Sequence, residues 1–311
     1  MISKVKRTLN RVYSQLLMYN NPFYFYGIPN CDYLIKGQSV LLKKMDLQLN
    51  RKEGESLLRG YPYAIKIIEA LNAKFSVQDK SIFLQIQNLK FQINSAEELF
   101  IIYEVFVTEV YNFNCLRDTV FIDVGMNAGI TTLFYAKNPL IKKIYSFELF
   151  RPTFLLGQRN LKFNKEVVQK IEAYNYGLSN KSFESTLDYS LSRKGRMGLK
   201  GLPFDEQFND VQKENVVVKD ISEIFEAIIA TSGEMDIAVK MDCEGEEYNL
   251  IESLASSKLL GKLTAVMIEW HYHKPVEIID HLRKFNFYVF SQTLPSLDSG
   301  IIYASKGQGH F

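Results

Sequence analysis

Cysteine is scarce in this 311-residue chain, and the three present, Cys31, Cys115 and Cys243, are odd in number and far apart. They lack the paired spacing of a zinc site or a disulfide framework, so reduced thiols are expected. Long apolar runs are missing too. No stretch approaches the roughly 18 to 20 apolar residues of a membrane span, and the opening Met1-Ile-Ser-Lys-Val-Lys-Arg lacks a signal-peptide core. The expectation is a cytoplasmic protein whose membrane contact, where there is any, is peripheral. There is no internal repeat and no low-complexity tract. The dinucleotide fingerprint Gly-x-Gly-x-x-Gly, which seats a pyrophosphate on a helix N-terminus, is also missing.

Hydrophobic residues make up 47% of the chain, enough to bury a full α/β core plus an appended segment. We expect an N-terminal extension over 1–94 and a main domain over 95–311. The formal charge of +2 hides an asymmetry: residues 1–52 hold nine Lys/Arg against Asp32 and Asp46, giving +7 there and leaving −5 for the remainder. Within that basic end, Ile2, Val5, Leu9, Val12 and Leu16 recur at helical spacing among Lys4, Lys6, Arg7 and Arg11. This pattern predicts a basic amphipathic helix, which packs on its own domain or a sister subunit or, alternatively, lies on an anionic membrane surface. The aromatic cluster Pro22–Gly27 reads as local core or interface. Alternation over Ile82–Ile86 and Leu89–Ile93 predicts a hairpin, and Ser95-Ala-Glu-Glu98 is a capping box opening a helix to about Tyr111.

The most informative stretch is Thr119-Val-Phe-Ile-Asp-Val-Gly-Met-Asn-Ala-Gly129. Val120–Val124 reads as a strand buried on both faces, and Gly125 and Gly129 allow a tight turn whose N–H groups can approach a ligand closely. The Gly-x-Asn-x-Gly spacing suits a ligand without a pyrophosphate. About twenty residues on, where a Rossmann-type fold places its ribose carboxylate, Lys143–Glu148 reads as a second strand ending in an acid. Adenosine is therefore the expected ligand moiety.

Strands near 119–124, 143–148, 168–177, 236–242 and 263–271 alternate with helices near 128–137, 152–163, 246–256 and 275–284, followed by strands near 286–291 and 300–304. Such alternation argues for an α/β domain with a mainly parallel sheet covered by helices on both faces, its ligands beyond the strands' C-terminal ends. From roughly Leu89 to Phe290 the chain resembles the FkbM family of S-adenosylmethionine-dependent methyltransferases. The blocks that carry the likeness are Phe121–Gly129, Ser146-Phe-Glu148 with Asn160 and Asn164, Lys240-Met-Asp-Cys-Glu-Gly-Glu-Glu247, and Ile268-Glu-Trp-His271. The resemblance implies a Rossmann-like class I methyltransferase fold with a seven-stranded sheet ending in an antiparallel hairpin, and S-adenosylmethionine as cofactor. By the same likeness Asp123, Gly125, Met126, Asn127 and Gly129 surround the methionine part of that cofactor, with Asp242 at the same crevice. Glu148, beside Leu149, holds the ribose, and the turn at Tyr176 and Gly177 lies beside adenine.

Methyl transfer is an in-line displacement, so the enzyme must align the acceptor and take its proton if it is a hydroxyl. Period-two alternation puts Met267, Glu269 and His271 on one face of their strand. His271 is the expected base, with Glu269 orienting it or contacting substrate. Asp242 and Glu244 flank Cys243 at the next strand's end. They either cap the following helix and bind substrate or, as an alternative, hold Mg²⁺. The basic run Ser192–Lys200 is either a solvated loop or a cover recognising an anionic, for example lipid-linked, acceptor. The implied function is O-methylation of a sugar, surface glycan or secondary metabolite, by a monomer or a homo-oligomer. An NAD-dependent oxidoreductase and a non-catalytic scaffold are the alternatives. Nucleic acid is not expected as a partner, because the main domain is acidic and no Asn/Asp-Pro-Pro-aromatic motif is present.

Overall fold

A computed structural model describes residues 26–50, 55–200, 210–293 and 298–307. The amphipathic pattern at Ile2–Leu16 and most of the Pro22–Gly27 cluster lie outside the described residues. Two compact units result, Met1–Glu109 and Val110–Phe311.

The first unit begins with the antiparallel meander β1 (Tyr33–Lys36), β2 (Ser39–Leu42) and β3 (Leu47–Asn50). In β2 and β3, Val40, Leu42, Leu47 and Leu49 turn inward at alternate positions, while β3's polar residues face out. Helices α1 (Glu55–Leu58) and α2 (Tyr61–Leu71) follow, then a second meander of β4 (Lys74–Gln78), β5 (Ser81–Ile86) and β6 (Leu89–Ile93), then α3 (Ala96–Phe106). The capping box at α3 forms as expected, but the helix ends at Phe106, short of Tyr111. The expected boundary at 94/95 moves to 109/110 because α3 packs on the first unit. Tyr63 of α2 meets Phe100 and Tyr103 at ring distances of 5.1 and 5.6 Å, and Phe91 meets Phe106 at 5.6 Å.

The second unit is built on β7 (Thr119–Val124), α4 (Ile130–Ala136), β8 (Ile141–Phe147), α5 (Arg151–Phe163) and β9 (Ile171–Tyr174). After these come β10 (Gly177–Ser179), β11 (Phe183–Ser190), β12 (Val211–Asp220), α6 (Ile221–Ser232), β13 (Asp236–Met241), α7 (Glu247–Ser256), β14 (Ala265–His271), α8 (Val276–Lys284), β15 (Tyr288–Thr293) and β16 (Ser299–Ser305). Seven strands form the main sheet in the order β15-β16-β14-β13-β7-β8-β9. The five from β14 to β9 pair in parallel, and β16 pairs antiparallel with both β14 and β15. Every residue of β7 and β13 is buried, as central strands covered on both faces require. Val120, Ile122, Val239, Met241 and Ile268 form one core with α6, α7 and α8. On the opposite face Phe121 stacks on Tyr135 of α4 at 4.0 Å.

Two sequence expectations are corrected here. The strand expected over 168–177 is divided: β9 stays in the main sheet, whereas β10 joins a side sheet of order β10-β12-β11. The stretch after Ser182, where no strand or helix was expected before 236, contains β11 paired along its whole length with β12. The side sheet has its own small core of Phe150, Tyr189, Met197 and Val216. Helix α6, capped by Asp220, whose side chain accepts the Ser222 N–H at 2.8 Å, had not been anticipated.

Candidate active site

The turn after β7 is shaped by how closely β13 passes it. The Asp242 N–H donates to the Val124 carbonyl at 3.1 Å, drawing the two strand ends together. Gly125 adopts φ +86°, and a Cβ there would stand 1.9 Å from the Asp242 carbonyl oxygen. The N–H groups of Gly125 and Met126 both donate to the Phe147 carbonyl, at 3.0 and 2.9 Å, so they hold the turn onto β8. Asn127, at φ +50°, donates its N–H to Glu148 Oε2 at 2.9 Å. Phe150 N–H donates to the other oxygen at 3.1 Å. Burial dominates these two bonds and pushes the Glu148 carboxyl up to about 7.

A cleft opens over this turn. Of the residues expected at the cofactor, Gly125, Asn127, Glu148, Leu149, Gly177 and Asp242 line it, and so does Glu244. Four others do not. The Met126 side chain runs into α5, where a Cβ on Gly157 would lie 2.5 Å from Met126 Cε. Gly129 turns the chain into α4 at φ +76°. Asp123 is fully buried and accepts a 2.6 Å bond from Thr132 Oγ1. Tyr176 packs its ring on Phe147 and Tyr174, at 5.4 and 5.5 Å. From the 191–199 segment Lys194, Met197 and Gly198 line the cleft, while Leu191, Ser192, Arg193 and Arg196 are exposed. A Cβ on Gly198 would be 2.7 Å from the Cys243 carbonyl oxygen.

Beyond the turn stands an ionic cluster. Lys240, its side chain 3% exposed, lies 3.4 Å from both Asp123 and Asp242 and donates to the Gly125 carbonyl at 2.7 Å. The Tyr111 hydroxyl reaches Glu269 at 2.6 Å and Asp242 at 3.1 Å. His271 Nδ1 is 3.3 Å from Glu247, and Nε2 is 3.8 Å from both Glu244 and Glu269. Sequence reasoning missed Tyr111 and gave Glu247 no role, although Glu247 stands inside the Lys240–Glu247 block. Glu247 also accepts the N–H groups of Cys243 and Gly245, at 2.8 and 3.0 Å, and so shapes the acid-bearing loop.

These neighbours bear on the base role expected for His271. Burial alone would depress the imidazole, but the Glu247 bond and the charge of Glu244 outweigh it and raise His271 to about 10. At neutral pH it is a cation. Burial, followed by repulsion among the acids, raises Glu269 to about 7, while burial opposed by His271 leaves Glu244 at about 8. The proton-accepting groups near neutrality are therefore carboxylates. Asp242, Glu244 and His271 bring one ligand atom each within 4.8 Å of one another. With an imidazole in the set and the Lys240 ammonium already 3.4 Å from Asp242, it does not suit Mg²⁺, which demands oxygen ligands in near-octahedral geometry. No role is assigned to that ion.

Raised values in Glu148, Glu244, Glu269 and His271 all carry one sign for stability. For each, the stabilisation is complete below the unfolded-state value and is lost as pH rises through the folded one. The apo protein should therefore melt lower as pH rises from about 6.5 to 9, on the order of 5 °C in total. A calorimetric melting series that rises or stays flat over that window contradicts the assigned electrostatics.

The methyltransferase FkbM domain matches residues 123–289, more than half of the chain. The protein belongs to the FkbM methyltransferase family. That assignment sets aside the oxidoreductase alternative. No curated protein matches the chain. Among solved structures, methyltransferase FkbM from Methylobacillus flagellatus KT is 13% identical, with a TM-score of 0.40 over 80% of this chain and 60% of that one. TrmK from M. capricolum in complex with S-adenosyl-homocysteine is 11% identical, with a TM-score of 0.34 over 61% of this chain and 64% of that one. Precorrin-6y C5,15-methyltransferase from Geobacter metallireducens GS-15 is 12% identical, with a TM-score of 0.34 over 75% of this chain and 95% of that one. The chain thus spans 60% of the length of the Methylobacillus protein. Among the described residues, no helix is long and apolar enough to cross a membrane.

Proposed function

We propose that this FkbM methyltransferase uses S-adenosylmethionine to O-methylate a hydroxyl of a neutral polyol, such as a sugar unit of a glycan or a hydroxylated secondary metabolite. The carrying observation is the pairing, at one cleft, of a buried carboxylate anchored by two backbone N–H groups with a cluster of acids beyond it. Glu148, just after β8, would accept from a ribose diol, and the Gly125–Gly129 turn lacks the Gly-x-Gly-x-x-Gly spacing that seats a pyrophosphate on a helix start. The cofactor supplies an electrophilic sulfonium methyl. The chain's own task is then to orient the acceptor and take up its proton, which Glu269 or Asp242 does within a hydrogen-bonded cluster.

Charge decides the acceptor's class. Among the described lining residues, Glu148, Asp242, Glu244 and Glu246 face Lys194 as the one cation. With Glu148 raised to about 7 and Glu244 to about 8, both are partly or largely protonated near neutrality, which leaves Asp242 and Glu246 against Lys194, a lining near charge balance that suits a cationic sulfonium and a neutral acceptor.

Titration calorimetry with S-adenosylhomocysteine and NAD tests the cofactor assignment: the adenosyl compound should bind and NAD should not. Glu148→Ala should weaken S-adenosylhomocysteine binding by 1.5–3 kcal/mol, roughly ten- to a hundredfold, as loss of a charged hydrogen-bonding group does. Asp242→Asn should leave that affinity within a few fold and lower methyl transfer to a polyol acceptor by about 10²–10⁴. Preferential NAD binding, or full transfer by Asp242→Asn, overturns the reading.

A further inference from the structure

The phenol of Tyr111 carries one hydrogen and stands between two carboxylates, with its oxygen 2.6 Å from Glu269 Oε2 and 3.1 Å from Asp242 Oδ2. One hydrogen cannot serve both contacts. If both acids are ionised, one oxygen faces the phenol's lone pairs with no proton between them, an unfavourable contact in a buried setting. The arrangement closes when one carboxyl is protonated and donates to the phenol oxygen while the phenol donates to the other.

The placement of Tyr111 is built rather than incidental. It is buried. The Tyr135 hydroxyl of α4 donates to its carbonyl, and the Tyr303 hydroxyl of β16 donates to the Val110 carbonyl at 2.6 Å. The Lys240 ammonium stands 5.3 Å from its ring centre, within cation–π range. Two tyrosines from different elements thus pin the backbone, and a buried cation faces the ring. Tyr111 precedes the matched region 123–289.

We propose that Tyr111 is a positioning residue that joins Asp242 and Glu269 into one proton-holding unit. A proton arriving from the acceptor is then shared along Asp242–Tyr111–Glu269 instead of lodging on a single carboxylate. The inference rests on the O-methyl transfer reading for its catalytic meaning, while the shared proton itself is a property of the apo protein. In the reaction the acceptor oxygen forms its C–O bond as the sulfonium S–C bond breaks. The S–C electron pair stays on sulfur as a neutral thioether, and the hydroxyl proton passes to the ionised carboxylate of the unit. The charged and titratable groups facing Glu269 are Asp242 and Lys240 from β13, Glu244 from the following loop, His271 from its own strand and Tyr303 from β16.

The test uses the full chain without any acceptor: ¹³C NMR titration of the Asp and Glu side-chain carboxyls, with Asp242 and Glu269 assigned through Asp242→Asn and Glu269→Gln. In the wild type the Glu269 carboxyl should titrate in a coupled, two-step curve. In Tyr111→Phe, where the donated bond that favours ionised Glu269 is gone, the Glu269 step should move up by about one pH unit. A Glu269 titration unchanged by Tyr111→Phe, in a variant that melts as a folded protein, overturns the proposal. If Tyr111→Phe does not fold, the Asp242→Asn spectrum decides: the Glu269 step should be displaced from its wild-type position, and an undisplaced step overturns the coupling. These outcomes do not depend on which acceptor is methylated, so they fail independently of the O-methyl reading.

Discussion

Gly125→Ala is expected to abolish S-adenosylhomocysteine binding and to destabilise the protein by on the order of 3–5 kcal/mol, the scale of strain at a special backbone position combined with a core clash. The added methyl would lie 1.9 Å from the Asp242 carbonyl oxygen and 3.0 Å from its carbon. Both are backbone atoms at the end of β13, and no rotamer change relieves them. Either the turn moves, breaking the bonds from Gly125 and Met126 to Phe147, or β13 moves and loses the Asp242-to-Val124 bond. Both routes displace Asn127 from Glu148. Gly177→Ala is the matched control in the same cleft: its Cβ would meet Leu149 Cδ1 at 2.7 Å, the far end of a flexible side chain. A cost under about 1.5 kcal/mol fits the tolerance of such repacking. Melting and calorimetry on both variants check the contrast, and equal costs contradict the geometry.

The second large effect is expected at His271. Its imidazolium is the counter-charge for Glu247, which is fully buried. His271→Ala leaves that carboxylate without it, a change that costs about 3–5 kcal/mol where a buried pair loses one partner. At roughly 2–4 °C per kcal/mol for a domain of this size, melting should fall by some 6–20 °C. Pairing it with Glu247→Gln should restore part of the loss, since the orphaned charge goes with its partner. A small change in His271→Ala with no recovery in the double variant means the imidazole is neutral in the fold, and the original reading of His271 as base returns.

Where burial followed a simple period, the sequence was readable. Thr119–Val124 is apolar apart from Thr119 and Asp123, and Asp236–Met241 apart from Asp236 and Lys240, and their strands appear within a residue or so of the expected bounds. β12 was not readable, because Gln212, Lys213 and Glu214 fill its exposed start and only Val216 and Val218 turn inward. Helix α6 carried a usable signal, an acidic cap at Asp220 before Ile221, Phe225 and Ile228. At the site, strand-end acids could be found because topology brings such ends together. Orientation was lost where two segments of the chain meet: Met126 looked like part of the ligand turn, yet Gly157 on α5 leaves a slot that takes its side chain. Tyr111 gave no local sign, since its partners Asp242 and Glu269 are 131 and 158 residues away.

The order of strands has a consequence for synthesis. β16 is the last strand of the main sheet in the chain, yet it lies inside it, between β14 and β15. Until Ser299–Ser305 has left the ribosome, β14 exposes an open row of backbone donors and acceptors, and β15 has no neighbour in the sheet. A nascent chain stopped anywhere between about 272 and 298 therefore carries an adhesive edge beside a nearly complete core, the condition in which partly folded chains associate. Pulse-labelled intermediates of that length should recruit chaperones more strongly than shorter or longer ones.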